Sequence, residues 1–378
     1  MVPKTRFERD IYQGITDYFT EKVPHFELII IFHHSAIDTT RSMQGIITML
    51  TDPKEVDSLL SFGVPVINVS GYLKSSKLPT VISDNEAAGR MAAEYLISCR
   101  FPHFGYHDHT TGHSFAMRCE GFKNAIVKAG FSCNQHQPYA HNLNDFKELD
   151  VAQHRNLRKW ISGLPKPVGI FSGSDRDAWE VWNICQELDF KIGKDVGIIG
   201  HGNDEFYCET RHPYLSSVEV QPDRIGYEAG ALLLDLIRGG RAPSQAILVP
   251  PSGVVARQSA NVFLVEDEHV DMAIQFIRAH IEEADLIKKV FAHVPMTRRT
   301  LERRFNQCLG RTLVETIHEL KIDRIKYLLD TTSMKLSEVA DACGFANVFY
   351  MMRLFGKKVG LSPSNYRARF RRRLLKSF

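Results

Sequence analysis

The sequence of 378 residues lacks several features that would place it in other classes of protein. No apolar run approaches the roughly 18 residues that cross a bilayer, and runs such as Leu28 to Phe32 have the length of a strand. Met1 to Arg9 has charges but no apolar core of a secretory signal. The seven cysteines contain no C-x-x-C pair, and their odd number argues against a disulfide framework or a zinc module. We therefore expect a cytoplasmic protein with reduced thiols and no membrane contact.

Motifs of common enzyme classes are also missing. The segment FSGSD (171–175) does not have the G-x-S-x-G frame of a nucleophile elbow, and no G-x-x-x-x-G-K-[ST] phosphate loop occurs. Four histidines lie within eleven residues, a spacing that metal sites can use: His103, His107, His109 and His113. HFGYHD (103–108), however, is typical of a strand, and the position after it is expected to face the cleft, which favours hydrogen bonding to a ligand or to the hinge. We expect no enzyme activity, no cofactor and no metal.

Charge is unevenly distributed along the chain, although the net charge is only +3. Residues 269–378 contain 21 Lys and Arg against 11 Asp and Glu, whereas the preceding residues contain 26 against 33. A basic unit attached to an acidic one indicates that the C-terminal part binds a polyanion such as nucleic acid. The alternative is a solvated basic face without a partner.

The region from about residue 26 to 262 alternates short β-rich runs with helical patterns. Strands are predicted at 26–32, 44–50, 65–71, 103–108, 168–174 and 195–202, and helices at 86–99, 116–129, 178–189 and 224–238. This alternation predicts parallel sheets covered by helices, in two doubly wound lobes. Ligands of such sheets bind beyond the carboxyl ends of the strands.

The remaining residues are helical and contain an internal repeat with an offset of 50 residues. Leu286, Ala292, Thr297, Arg303, Phe305 and Gly310 recur as Leu336, Ala342, Asn347, Arg353, Phe355 and Gly360. Each copy contains a short helix, a turn, an N-cap residue, a second helix and a C-cap glycine. The repeat predicts two helix-turn-helix units in one domain.

The second helix of each unit has one apolar and one outward face. Leu301, Phe305 and Leu309 are expected to be buried in the first copy, and Met351, Phe355 and Val359 in the second. The predicted base-reading residues are Arg299, Glu302, Arg303 and Asn306 in the first helix and Phe349, Met352 and Arg353 in the second. Lys357 and Lys358 are suited to phosphates. For Phe349 and Met352 a protein interface is the alternative.

This C-terminal region resembles the AraC family of transcription regulators. Residues 312–330 are similar to the helix that links its two units, and residues 344–367 to its closing segment, which ends in G-x-(S/T)-P-x-x-Y-R at Gly360 to Arg367. The resemblance implies two recognition helices in successive major-groove segments. It also implies operator DNA and RNA polymerase as partners of a homodimer.

The α/β region resembles the sensor domains of the LacI family, which have the periplasmic-binding-protein fold. The matching segments are R-x-x-G-F (118–122), FSGSD (171–175), DVGIIGHGND (195–204), 212–237 and 247–259. We therefore expect a sensor at 1–262, a linker at 263–268 and an AraC-type domain at 269–378. The combination implies an activator of a sugar-utilisation operon whose effector is a pentose, foremost D-xylose. A hexose or purine effector is the alternative, and the repeat argues against a carbohydrate-active enzyme.

Five residues are the expected ligand contacts: Phe115, Arg118, Asp175, Asn203 and Gln221. Arg118 and Asp175 would clamp vicinal hydroxyls, Asn203 and Gln221 would add donors and acceptors, and Phe115 would cover the sugar ring. Asp175 could instead cap the following helix, and Phe115 could belong to the core.

The sequence departs from the resembling family at two places. Gly202 stands where the family's G-x-D-N motif has an aspartate, and Asp204 is displaced by two positions. The family also has a central β-strand before the segment that corresponds to Met1 to Ile15, so we expect this strand either upstream or missing from the first lobe.

Overall fold

The computed structural model describes residues 5–23, 25–29, 43–74, 77–110, 112–136, 150–260, 267–283, 285–332 and 334–367. The chain divides into two compact units, Met1–Val262 and Phe263–Phe378. Most of the expected linker at 263–268 lies outside the described residues. Its last residue, Glu268, begins a helix whose N-cap is Asp267.

The first unit contains alternating strands and helices. Its strands are β1 (Ile46–Thr48), β2 (Val66–Asn68), β3 (Val81–Ser83), β4 (His103–His107), β5 (Cys133–Gln135), β6 (Val168–Ser172), β7 (Val196–His201), β8 (Ser216–Glu219), β9 (Ile247–Val249) and β10 (Gly253–Val255). Its helices are α1 (Arg6–Lys22), α2 (Glu55–Leu60), α3 (Asn85–Ser98), α4 (His113–Lys128), α5 (Val151–Gly163), α6 (Asp175–Glu187), α7 (Glu205–Cys208) and α8 (Pro222–Ile237).

A six-stranded sheet with the order β10-β8-β7-β6-β4-β5 forms the centre of this unit, and only β10 pairs in the antiparallel direction. All residues of β6 are buried, which explains why its sequence is apolar up to the final Ser172. Two parallel pairs, β1-β2 and β3-β9, form the other sheets. The predicted strand at 26–32 is wrong for residues 26–29, which form no strand, whereas 30–32 lie outside the described residues.

Close packing of α3 against α4 explains the R-x-x-G-F motif. A Cβ atom on Gly121 would lie 2.1 Å from the carbonyl oxygen of Glu86, so only glycine permits this approach of the two helices. The next residue, Phe122, is fully buried with its ring centroid 5.4 Å from that of Phe171 in β6. The motif thereby holds Arg118, one turn earlier, at the end of the six-stranded sheet.

The second unit is helical and contains the two predicted helix-turn-helix units. Its helices are α9 (Glu268–Ala279), α10 (Leu286–His293), α11 (Arg298–Leu309), α12 (Leu313–Thr331), α13 (Leu336–Ala342) and α14 (Val348–Val359). Thr297 and Asn347 cap α11 and α14, and Gly310 and Gly360 end them with φ of +66° and +77°, as the repeat predicted. None of the described helices is both long and apolar enough to cross a membrane.

Each helix-turn-helix unit has a hydrophobic core of its own, and α12 contributes to both. Its first half places Leu313 and Ile317 in the core of α9, α10 and α11. Its second half places Ile325 and Leu329 in the core of α13 and α14. The two units are therefore joined by a helix that is anchored at both ends.

Candidate functional site

Polar side chains converge at the carboxyl ends of three neighbouring strands of the six-stranded sheet. Asp108 follows β4, Asp175 lies three residues after β6, and Asn203 lies two residues after β7. These strands are adjacent in the order β7-β6-β4, and all three side chains are buried. This is the edge at which doubly wound sheets bind their ligands.

Arg118 reaches this edge from α4 and is only 5% exposed. Its Nε donates to the carbonyl of Ser114 at 3.2 Å, and its Nη1 contacts the carbonyl of Gly173 and lies 2.8 Å from Nδ1 of His201. Because a guanidinium is always a donor, Nδ1 of His201 accepts this bond and its Nε2 carries the proton. Burial, together with the charge of Arg118, lowers the pKa of His201 well below its usual value and keeps the ring neutral.

Asp175 is 3% exposed and accepts two hydrogen bonds. The hydroxyl of Ser217 donates to its Oδ1 at 2.5 Å, and the backbone N–H of Asp204 donates to its Oδ2 at 2.7 Å. Burial raises the pKa of Asp175 to about 6, although both hydrogen bonds oppose this shift. The alternative role of Asp175 as a helix cap is wrong, since Ser174 is the N-cap of α6.

Three buried polar atoms at this edge have no hydrogen-bond partner among the described residues: Oδ1 of Asp108, Nε2 of His201 and Oδ1 of Asn203. Leaving a buried polar atom unsatisfied costs about 1–3 kcal/mol, so a ligand that satisfies these atoms gains correspondingly. Burial also raises the pKa of Asp108 to about 6. One donor, two acceptors and the nearby guanidinium match a small molecule with several hydroxyl groups.

Two of the five predicted ligand contacts, Phe115 and Gln221, already have partners within the protein. The ring of Phe115 is buried, and its face is covered by the guanidinium of Arg118 at 4.1 Å. Gln221 is the N-cap of α8, and its Nε2 donates to the carbonyl of Pro250 at 2.8 Å. No described hydrogen bond joins Gln221 to Arg118, Asp175 or Asn203.

Sequence reasoning did not include His201, Ser217 or Asp108 among the candidate site residues. Asp108 is the last residue of the predicted strand 103–108 and directly follows β4, so the strand-end rule could have identified it. His201 and Ser217 belong to strands, and their partners lie 83 and 42 residues away in the sequence. Only the tertiary structure brings these pairs together.

The departure at Gly202 has a structural reason. Its backbone has φ of +121°, a conformation that residues with a side chain rarely adopt. A Cβ atom there would lie 3.2 Å from Oδ2 of Asp175. An aspartate at this position would therefore add strain and place a second negative charge beside the buried carboxylate.

The outward face of α11 carries the predicted base-reading residues of the first helix-turn-helix unit. Arg299, Arg303 and Asn306 are exposed, whereas Glu302 is half-buried and binds Arg298 at 2.9 Å. Within the described residues, Arg299 and Arg303 have no ion-pair partner. The neighbouring Arg304 differs, because its Nη1 lies 2.7 Å from Asp267, the N-cap of α9.

The second helix, α14, presents a mixed surface. Phe349 is 74% exposed, Arg353 is exposed with its guanidinium 5.7 Å from the ring of Tyr350, and Lys357 is exposed. Lys358 is also exposed and lies 4.0 Å from Glu319. Met352 is half-buried and packs against the core of the second helix-turn-helix unit, so only part of its side chain faces outward.

Comparison with known proteins identifies related domains and relatives. Residues 93–260 match the periplasmic binding protein-like domain, and residues 291–369 match a helix-turn-helix domain. The chain is 27% identical to the xylose operon regulatory protein of Haemophilus influenzae, over 96% of this chain and 95% of the relative. It is 26% identical to the protein of the same name from Escherichia coli K12, over 96% and 94%.

A solved structure described as a xylose-binding transcription activator has the same fold. It superposes with a TM-score of 0.66 at 24% identity and covers 97% of this chain and 96% of its own. These matches confirm the predicted fold class, an α/β two-lobed sensor followed by an all-α domain with two helix-turn-helix units. The matched relatives are transcription regulators and not enzymes.

Proposed function

We propose that this chain is a transcription regulator in which an AraC-type helix-turn-helix domain follows a periplasmic-binding-protein-like sensor, and that it activates a sugar-utilisation operon when a small sugar binds. The single observation that supports a sugar as the effector is the set of unsatisfied buried atoms of Asp108, His201 and Asn203 around Arg118. Hydroxyl groups both donate and accept, so one polyol satisfies all three atoms and the guanidinium together.

We propose a pentose, D-xylose in the first place, as the effector. Two curated relatives are xylose operon regulatory proteins that align over almost the whole chain, which supports this choice. A purine is disfavoured by the described residues, because the ring face of Phe115 that could stack on a base is covered by Arg118. Asp175, Gln221 and Phe115 are proposed to shape and support the site.

The proposed DNA-binding surface consists of the outward faces of α11 and α14. Arg299, Arg303 and Asn306 would read base edges in one major-groove segment, with Glu302 released from Arg298 for a cytosine. Phe349, Arg353 and the exposed part of Met352 would read the next segment, where apolar groups suit thymine methyls. Lys357 and Lys358 would bind phosphates. Action on operator DNA with RNA polymerase implies a cytoplasmic protein, which we propose to be a homodimer.

The sugar would act by shifting a conformational equilibrium of the sensor. A ligand changes such an equilibrium only by its differential affinity for the two states. The form in which Arg118, Asp108, His201 and Asn203 contact the sugar at once is stabilised, and this form would hold the DNA-binding domains of a dimer at the spacing of the operator half-sites.

Calorimetry with the full chain tests the effector. D-xylose, L-arabinose, D-ribose, D-glucose and hypoxanthine are titrated separately into the sugar-free protein. D-xylose is expected to bind most tightly, with one site per chain, and hypoxanthine to give no heat beyond dilution. Tighter binding of glucose or hypoxanthine than of every pentose would replace the pentose by the alternative effector class.

A further inference from the structure

A second polar cluster lies beneath α6, on the face of the six-stranded sheet opposite to Tyr106. His107, the last residue of β4, is completely buried, and its Nε2 has no hydrogen-bond partner among the described residues. Oε2 of Glu180 lies 3.8 Å from this nitrogen. One ligand atom each of His107, Asp177 and Glu180 lie within 4.8 Å of one another, and Asp177 is also fully buried.

The contact with His136 decides, through the tautomer of the two rings, whether Nε2 of His107 holds a proton or a lone pair. Its Nδ1 lies 3.2 Å from Nδ1 of His136, so one of the two rings donates and the other accepts. Both rings are buried. If His107 donates from Nδ1, its Nε2 holds a lone pair that faces two carboxylates.

A lone pair beside two carboxylates is unfavourable unless a positive charge lies between them. Asp177 has partial compensation, since its Oδ2 accepts from the hydroxyl of Ser174 at 2.8 Å and its Oδ1 contacts Nδ1 of His109. Glu180 has Arg176 at 3.8 Å. Nε2 of His107 has neither a proton to share in this tautomer nor a donor to accept from.

Imidazole nitrogen and carboxylate oxygen form the common donor set of zinc sites, and a ligand imidazole usually donates its other N–H to a supporting acceptor. His136 occupies the position of that acceptor. Ligand atoms around tetrahedral zinc lie about 3.4 Å apart, given bond lengths of about 2.1 Å. Because the three atoms lie within 4.8 Å of one another, they need to approach by at most about 1.4 Å, which side-chain rotation can supply.

We propose that Nε2 of His107 and the carboxylates of Asp177 and Glu180 bind a zinc ion. The ion links Asp177 and Glu180, in the first two turns of α6, to His107 at the end of β4. Asp177 lies two residues after Asp175. The zinc site is a structural site, separate from the proposed sugar site and independent of it, because it uses none of the residues assigned to the sugar.

Metal content of the full chain is the first test. The protein is treated with a chelator, mixed with Zn²⁺, desalted and analysed for zinc, with about one ion per chain expected. Co²⁺ in place of Zn²⁺ should give weak visible d–d bands without a sulfur-to-metal charge-transfer band, since the proposed ligands contain no thiol. Failure to retain zinc, or a strong charge-transfer band that indicates cysteine ligands, would overturn the site.

Two near-isosteric variants and a matched control locate the ion. Glu180→Gln and Asp177→Asn should each lower zinc affinity by more than about 100-fold, because even the loss of an outer-sphere partner costs 10–100-fold. Glu187→Gln is the control, since Glu187 lies on the same helix but binds His154 and Arg158 at the surface. Loss of zinc in Glu187→Gln with retention in Glu180→Gln would contradict the assignment.

Thermal unfolding gives a readout that does not depend on metal content. Zn²⁺ should raise the unfolding temperature of the parent and of Glu187→Gln but not that of Glu180→Gln. Glu180 is only partly buried, so its variant is expected to fold even if Asp177→Asn does not. An equal rise in parent and Glu180→Gln would mean that zinc binds elsewhere.

Discussion

Nη1 of Arg118 lies 2.8 Å from Nδ1 of His201, which joins helix α4 to the end of strand β7 across 83 residues of sequence. This contact makes Nδ1 of His201 an acceptor and leaves its Nε2–H as a buried donor without a partner among the described residues. A single arginine therefore both places its own charge at the proposed sugar site and sets the hydrogen-bonding state of the neighbouring histidine.

Arg118→Ala should abolish the response to sugar while preserving basal DNA binding. The variant loses the guanidinium and frees His201 to change tautomer, but it leaves the second unit intact. Thermal unfolding should rise with sugar concentration in the parent and stay flat in the variant. Lys128→Ala is the control, because Lys128 is an exposed cation on the same helix. A normal sugar response in Arg118→Ala would remove Arg118 from the site.

Sugar affinity should depend on pH through Asp108 and Asp175. Burial raises the pKa of both carboxyls to about 6, so they are mainly ionised above pH 7 and protonated below pH 5. Sugar hydroxyls donate to the ionised form, and the affinity should be constant above about pH 7 and fall as the pH decreases through 6. Calorimetry between pH 5 and 8 measures this, and Asp108→Asn should reduce the slope. Affinity that increases on acidification would contradict the carboxylate role.

Gly202→Asp, which introduces the aspartate of the resembling family, should weaken rather than improve the site. Backbone strain at φ of +121° costs about 1–3 kcal/mol, and the new carboxylate lies beside Asp175. Gly202→Ala carries the strain without the charge, so the difference between the two variants in chemical unfolding and in sugar affinity isolates the repulsion. Tighter sugar binding by Gly202→Asp would refute this reading of the departure.

Arg303 and Lys358 should affect DNA binding in different ways. Arg303→Ala should cost roughly 1–3 kcal/mol and relax discrimination at one operator position. Lys358→Ala should weaken binding to all sequences and lower the salt slope by about one unit. Arg304→Ala is the control for Arg303, since the ion pair of Arg304 with Asp267 predicts a loss of stability without a change in specificity. Equal weakening of specific and nonspecific DNA by Arg303→Ala would show that α11 does not read bases through this residue.

The helical unit was predicted more completely than the sensor because its determinants are local. Thr297 and Asn347 bond to amides two or three residues away, and Gly310 and Gly360 act through their own φ angles. Such signals can be read within a short window of sequence.

The sensor site depends on contacts between distant segments, which local patterns do not encode. Arg118, Asp175 and Asn203 follow from strand-end position and family resemblance. His201 and Ser217 gain their importance from partners far along the chain. The apolar run at 26–29 has strand-like residues but no strand pairing in the structure, because pairing depends on neighbours rather than on propensity.

Operator affinity measured as a function of D-xylose concentration tests the proposed function most directly. The full chain is titrated onto labelled operator DNA at fixed salt, with and without sugar, and the parent is compared with Arg118→Ala. Affinity should increase with D-xylose and saturate near the concentration at which calorimetry finds half-occupancy, and Arg118→Ala should show no increase. An operator affinity that stays constant in the presence of saturating pentose would contradict the proposal that sugar binding in the sensor controls DNA binding.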